Sequence, residues 1–436
     1  MLNALDTGTN TLLKMKKILF ILLASISLTN CKSYKKTISK STDTIILSDF
    51  YKNQFVGLLV LDPETNDTLY SNKSKKYFTP ASNTKIFTLF ASLQLLPQQV
   101  PALKYAIKNN MVYIEGTGDP SFLHPYFKDS TAFHFLQKHD AIVLDLNNFE
   151  DEKLGQGWAW DDYQYYYQPE ITSLPLYGNV TSISNTNGLN VTPDFFKDNV
   201  VRTWYKKYRE LEKNTFYFSR SRKDTIGIPF RTDSVLTKQL LESALNKKIS
   251  LSKQSIIGEK QILYGQPSDS LYVRMMHESD NFIAEQLLVL SSSTLSDTLS
   301  GKKTREYILE NQLANLQQPP RWVDGSGLSR YNLFTPESMV AVLNKMYKTV
   351  PRQRLFSIFP ENAVSGTLKE WNYDGGYPKL YAKSGSLSNN YCLSGYLITK
   401  TGKTLIFSFM NNHYQQPTSE VKKKMQQVLR QIADSY

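Results

Sequence analysis

The chain has 436 residues, enough for one large core or two ordinary ones. Its 41% hydrophobic and 21% charged residues are those of a globular protein and exclude wholesale disorder. A net charge of +12 favours anionic partners, but the basic residues are scattered and form no nucleic-acid motif, so nucleic acid is not expected as a partner.

Residues 1–30 read as a leader. Met15-Lys16-Lys17 precedes an apolar run from Ile18 to Leu28. The run is about half as long as the ~20 residues that span a membrane, and it suits a signal-peptide core. Residues 1–14 are unlike a leader, which points to Met15 as the start. Leu28-Thr29-Asn30-Cys31 is similar to a bacterial lipoprotein processing site, with Cys31 as the lipid attachment point and Asn30 where a small residue is usual. A membrane contact through that lipid and a periplasmic location follow as expectations. Residues 31–45 are polar and read as a tether.

Phe55 to Asp62 then reads as a buried strand, paired through the turn Pro63–Asp67 with Thr68-Leu69-Tyr70. Ile86 to Leu96 is apolar on most sides and predicts a core helix. From about 101 to 228 the chain carries short apolar runs (Ala106-Ile107, Met111 to Ile114, Ala141 to Leu144) and an aromatic stretch from Gly155 to Tyr167. This part reads as an inserted, mainly β domain. Helical patterns return at Ser234–Leu245 and Leu271–Leu290. Thr335-Pro336-Glu337 starts another helix with a cap, a first-turn proline and an acid at the positive dipole end. Tyr391–Tyr396 and Leu405–Phe409 flank the turn Thr401-Gly402-Lys403. After Pro417 a final helix carries the stripe Val421, Met425, Val428 and Ile432. The second cysteine, Cys392, lies in an apolar stretch and reads as a buried hydrophobe.

Chemistry is concentrated in three short motifs. Ser82 and Lys85 are spaced i, i+3, which on a helix puts the amine one turn from the hydroxyl. Burial disfavours a charged amine, and a neutral lysine can take the serine proton. Alone, the pair is common by chance and reads more readily as an exposed capping serine with a solvated lysine. Ser279-Asp280-Asn281 lies in or beside a helical stretch: Ser279 can relay a proton, Asn281 can hold a substrate amide and Lys85. The bland reading is a polar helix end. Lys383-Ser384-Gly385-Ser386 falls where an apolar strand, Ser386 to Ile398, begins. Lys383 and Ser384 suit a substrate carboxylate, Gly385 allows close backbone approach, and the Ser386 N–H can share an oxyanion with that of Ser82. There is no G-x-S-x-G elbow. None of His124, His134, His139, His277 and His413 pairs into a metal motif, so no metal or cofactor is expected.

In this order the motifs resemble the D-alanyl-D-alanine carboxypeptidase/endopeptidase family of class C low-molecular-mass penicillin-binding proteins, the S13 serine peptidases. The resemblance also covers Gly116–Ser121, Gly157–Asp162, His277–Glu285 and Asp324–Asn332. The long stretch between Ser82 and Ser279 separates the chain from class A β-lactamases. The resemblance implies an α/β fold: a β-lactamase/transpeptidase-like domain (an antiparallel sheet flanked by helices), split as 46–100 and 229–436 around an insertion at 101–228. It implies Ser82 as nucleophile with Lys85, Ser279 and Asn281 as catalytic partners, and Lys383, Ser384, Gly385 and Ser386 as substrate-binding residues. Peptidoglycan peptide stems are the implied substrate and β-lactam antibiotics the implied covalent inhibitors. A related acyl-hydrolase (β-lactamase or esterase) and a non-catalytic peptidoglycan-binding homologue remain open on the same residues.

Overall fold

A computed structural model describes residue 16 and residues 34–436, apart from 187, 256–257 and 374–375. Cys31 and, Lys16 aside, the leader lie outside the described residues. Among the described residues no helix is long and apolar enough to cross a membrane.

The first sheet brings together the two ends of the chain. Strands β1 (Phe55–Asp62) and β2 (Asp67–Asn72) are joined at one side to β15 (Thr404–Asn412), which continues to β14 (Asn390–Ile398) and β13 (Lys379–Leu387). The order is β13-β14-β15-β1-β2, antiparallel throughout. Strands β1, β14 and β15 are buried almost continuously because both faces are covered. Alternation sends Leu59, Ile406 and Met410 to one face, where they pack on helices α2 (Lys85–Leu95), α5 (Ser268–His277), α6 (Asn281–Ser292) and α8 (Pro336–Thr349). Leu58, Val60, Phe407 and Phe409 face the other way, against α10 (Thr418–Ser435). The expected stripe Val421, Met425, Val428 and Ile432 is fully buried there. Thr335 caps α8 reciprocally with Ser338, as its Thr-Pro-Glu start predicts.

Two expectations change here. Residues 34–46, read as a tether, form a helix, α1, whose Ile38, Thr42 and Ile46 are buried, the two isoleucines in the α10-side core. These positions repeat at i, i+4, i+8, a one-sided stripe that the polar composition hides. The second change concerns the insertion. A five-stranded mixed sheet has the order β11-β5-β4-β3-β12, from β3 (Gln99–Lys108), β4 (Met111–Gly116), β5 (Ala141–Asp145), β11 (Ile249–Leu251) and β12 (Gln261–Pro267). Helices α3 (Thr131–Gln137) and α4 (Ser234–Leu245) join it: Leu136, Leu240, Leu241 and Leu245 bury in one cluster with Leu103, Ile114 and Leu144. The insertion therefore runs to Pro267, not 228. Helical periodicity shows that α4 has a buried face, not which sheet receives it. A small sheet, β10-β6-β7, packs in the same cluster, from β6 (Val180–Ser184), β7 (Asn190–Thr192) and β10 (Ile226–Pro229).

Candidate active site

The segment Ala81–Thr84 is a single 3-10 turn feeding directly into α2. It is squeezed from two sides by glycines. A Cβ on Gly385 of β13 would stand 2.6 Å from Pro80 O and 2.9 Å from Ser82 N. Gly327 has φ +81, and a Cβ there would collide with Ala81 O. Both glycines let backbone approach backbone where any side chain would push the turn away. The turn itself begins strained, with Ala81 at φ 49.

That packing fixes Lys85 at the first residue of α2, fully buried among apolar neighbours. Its Nζ donates to Ser82 Oγ at 2.9 Å, to Asn281 Oδ1 at 2.7 Å and to the Ser326 carbonyl at 2.7 Å. Desolvation drives the ammonium pKa down to about 8, against the opposing pull of Glu285, Asp324 and Asp280. Ser82 stays partly open to solvent.

Ser279-Asp280-Asn281 is a break between helices, where the sequence pattern suggested one helical stretch. α5 ends at His277, Ser279 turns left-handed (φ 55), and Asp280 restarts the chain as the N-cap of α6, accepting from Ile283 N. The break turns the Asn281 side chain onto Lys85 and the Ser279 hydroxyl toward β13. There Lys383 Nζ donates to Ser279 Oγ at 3.0 Å and to the Ser384 carbonyl at 2.7 Å. Lys383 is fully buried, and desolvation followed by the charge of Lys85 holds its pKa well below the usual lysine range.

The Lys383–Ser386 motif lies inside β13, not ahead of a strand. β13 is an edge strand, covered along part of its outer side: Ala382 N donates to Pro360 O. Strand alternation then puts the N–H groups of Ser384 and Ser386 on this same outer edge, beyond the cover and beside Ser82. Ser384 Oγ donates to Thr367 Oγ1 at 2.7 Å. Thr367 escaped the sequence reading because nothing in its neighbourhood is patterned.

Behind these groups lies Asp324–Asn332. The Glu285 carboxylate accepts from Gly325 N (2.8 Å) and Ser326 N (2.7 Å), which aims the Ser326 carbonyl at Lys85. Burial, with Asp324 beside it, raises the Glu285 pKa to about 7. Asp324 accepts from Gly327 N, Ser329 N and Asn332 Nδ2. Residues between 101 and 267 also reach the site: Trp158 Nε1 donates to Asp324 Oδ2 at 3.0 Å, and Asn281 Nδ2 donates to the Tyr167 carbonyl at 3.1 Å. Structural roles fall to His277, whose Nε2 lies 3.3 Å from Ser357 O, and to buried Cys392. Chemically, the site joins a serine to a buried amine, a second serine to a second buried amine, and both to an open strand edge.

Residues 39–210 and 223–432 match the D-Ala-D-Ala carboxypeptidase 3 (S13) family. Among curated proteins, the D-alanyl-D-alanine carboxypeptidase DacB of Haemophilus influenzae is 24% identical, over 85% of this chain and 88% of its own. The D-alanyl-D-alanine carboxypeptidase of an Actinomadura species is 23% identical, over 91% of this chain and 85% of its own. Among solved structures, penicillin binding protein 4 from Haemophilus influenzae superposes with a TM-score of 0.69 at 19% identity, covering 89% of this chain and 97% of that one.

Proposed function

The chain belongs to the D-Ala-D-Ala carboxypeptidase 3 (S13) family, and we propose that it cleaves D-Ala-D-Ala termini of peptidoglycan stems through an acyl-enzyme on Ser82. It is a serine-type hydrolase of the penicillin-binding class. The observation that carries the assignment of roles is the three-way hold on Lys85 Nζ, which points a desolvated amine at Ser82 Oγ.

The reaction follows from that geometry. Neutral Lys85 takes the Ser82 proton as Oγ attacks the carbonyl of the penultimate D-alanine. The backbone N–H groups of Ser82 and Ser386 flank the developing oxyanion, supported by the closeness of Gly385 to Ser82 N. The extended stem pairs with the open edge of β13, and Lys383 with Ser384 attracts its terminal carboxylate. As the C–N bond breaks, Ser279, hydrogen-bonded to Lys383, passes its proton to the departing amine and is reprotonated with the proton that Lys85 took, so that Lys85 is neutral again. D-Alanine leaves, and water then attacks the ester, returning the proton to Ser82. A β-lactam ring is opened by the same serine.

The test is D-alanine release from a soluble stem pentapeptide. The wild type should release it and Ser82→Ala should not. Retained release in the variant would remove Ser82 from the mechanism. Location belongs to the same reading: the leader pattern and Cys31 support a periplasmic enzyme held by a lipid. Radiolabelled palmitate should enter the wild-type chain in cells and not Cys31→Ser; equal labelling would refute the anchor.

A further inference from the structure

Two of the five tryptophans stand in solvent. Trp322 and Trp371 are buried, and Trp158 is held against Asp324, but Trp160 is 73% exposed and Trp204 76%. Burying an indole is worth so much that exposed pairs are uncommon on a free surface. These two lie on adjoining segments of the insertion. Lys207 Nζ sits 6.0 Å from the Trp160 ring centroid and 5.9 Å from that of Tyr163. Tyr163 OH donates to Arg209 O, and Tyr208 N donates to Gln164 Oε1. Tyr205, itself exposed, is braced on Tyr217 with ring centroids 4.4 Å apart. Trp160 and Tyr205 are thus presented on a braced surface, and Trp204 adjoins Tyr205 in the chain.

The same segment is the basic part of the molecule. Residues 197–231 hold ten lysines and arginines against four acids, so about half of the net charge is concentrated there. Lys206 is exposed between Tyr205 and Lys207. The patch is also close to the catalytic groups: Trp160 is seven residues from Tyr167, whose carbonyl holds Asn281, a reach of at most about 25 Å.

We propose that Trp160, Trp204, Tyr205, Lys206 and Lys207 form a docking face for the glycan strand of peptidoglycan. This rests on the proposed function, since a stem cleaved at Ser82 stays attached to its glycan and the polymer must cross the molecule nearby. Flat aromatic faces complement the apolar faces of sugar rings, and the lysines complement the carboxylates of neighbouring stems. An anionic membrane is the competing occupant, and the vesicles in the experiment test for it.

The experiment is co-sedimentation of the chain in a Cys31→Ser background, so that no lipid anchors it, with purified insoluble peptidoglycan, beside anionic phospholipid vesicles. Wild type, Trp160→Ala/Trp204→Ala and Lys206→Glu are compared, with benzylpenicillin acylation reporting that each variant is folded. Wild type should sediment with peptidoglycan and not with vesicles. The double variant should bind at least about tenfold more weakly and Lys206→Glu measurably more weakly. Both should release D-alanine from soluble pentapeptide within about twofold of wild type. Wild-type binding to peptidoglycan by the double variant, or sedimentation with vesicles alone, would overturn the docking face. Absent D-alanine release from every chain, with the binding difference intact, would sink the enzymatic reading and leave the docking face supported.

Discussion

Lysine can act as a base at Ser82 only because burial denies its ammonium water, and the surrounding carboxylates limit how far that goes. Lys85 has its pKa lowered to about 8, and in the proposed reaction its working form is the neutral amine. Acylation should therefore rise with pH through about 8, measured as the rate constant for benzylpenicillin acylation. A flat profile from pH 6 to 9 would contradict a lysine base. Glu285 is the largest of the charges holding that pKa up. Glu285→Gln removes the charge, so the acidic limb should move to lower pH. The variant should also acylate more slowly, because an amide has only one acceptor for the N–H groups of Gly325 and Ser326. A slower variant with an unmoved limb would leave Glu285 a purely structural role. Lys85 and Lys383 are legible in the sequence as motif members, and the apolar helix that Lys85 starts points to its burial; the burial of Lys383 is not legible, because it depends on contacts between residues far apart in the chain.

At the scale of elements, a turn, a helix break and a strand edge converge. Gly385→Val should separate β13 from the Ser82 turn, since even a Cβ would stand 2.6 Å from Pro80 O. We expect a loss of about 1–3 kcal/mol in stability and a larger loss in acylation, read by urea denaturation and acylation kinetics. Unchanged acylation would mean that the strand does not build the oxyanion site. α1 gives a separate test. Ile38 is fully buried, so Ile38→Ala should cost about 2–5 kcal/mol, whereas a tether would register nothing. These elements also mark what the sequence could convey. The core helix α2, the hairpin of β14 and β15, the capped start of α8 and the stripe of α10 follow from local pattern and packing. The break at Ser279 does not, because helical periodicity is similar on both sides of it. Neither does the true end of the insertion, since α4 would be equally amphipathic against either sheet.

For the whole molecule, residues 101–267 reach the proposed catalytic groups through Trp158 and Tyr167. Trp158 reaches Asp324, which organises the loop whose Ser326 carbonyl holds Lys85. Trp158→Phe keeps most of the packing and removes that N–H. It should weaken loop positioning by about 1.5–3 kcal/mol, seen as slower acylation with little change in overall unfolding. An unaltered rate would make the contact incidental. The spacing of Ser82 and Ser279 announced an insertion, but that Trp158 and Tyr167 reach the site could be learned only from the folded chain. Above these details stands the claim that one serine, activated by a buried lysine, carries the acyl group. The measurement that bears on it most directly is the intact mass of the full chain after mixing with benzylpenicillin, with Ser82→Ala alongside. A stable one-to-one adduct should form on the wild type and none on the variant. An adduct on both chains, or intact drug with no adduct on either, would contradict it.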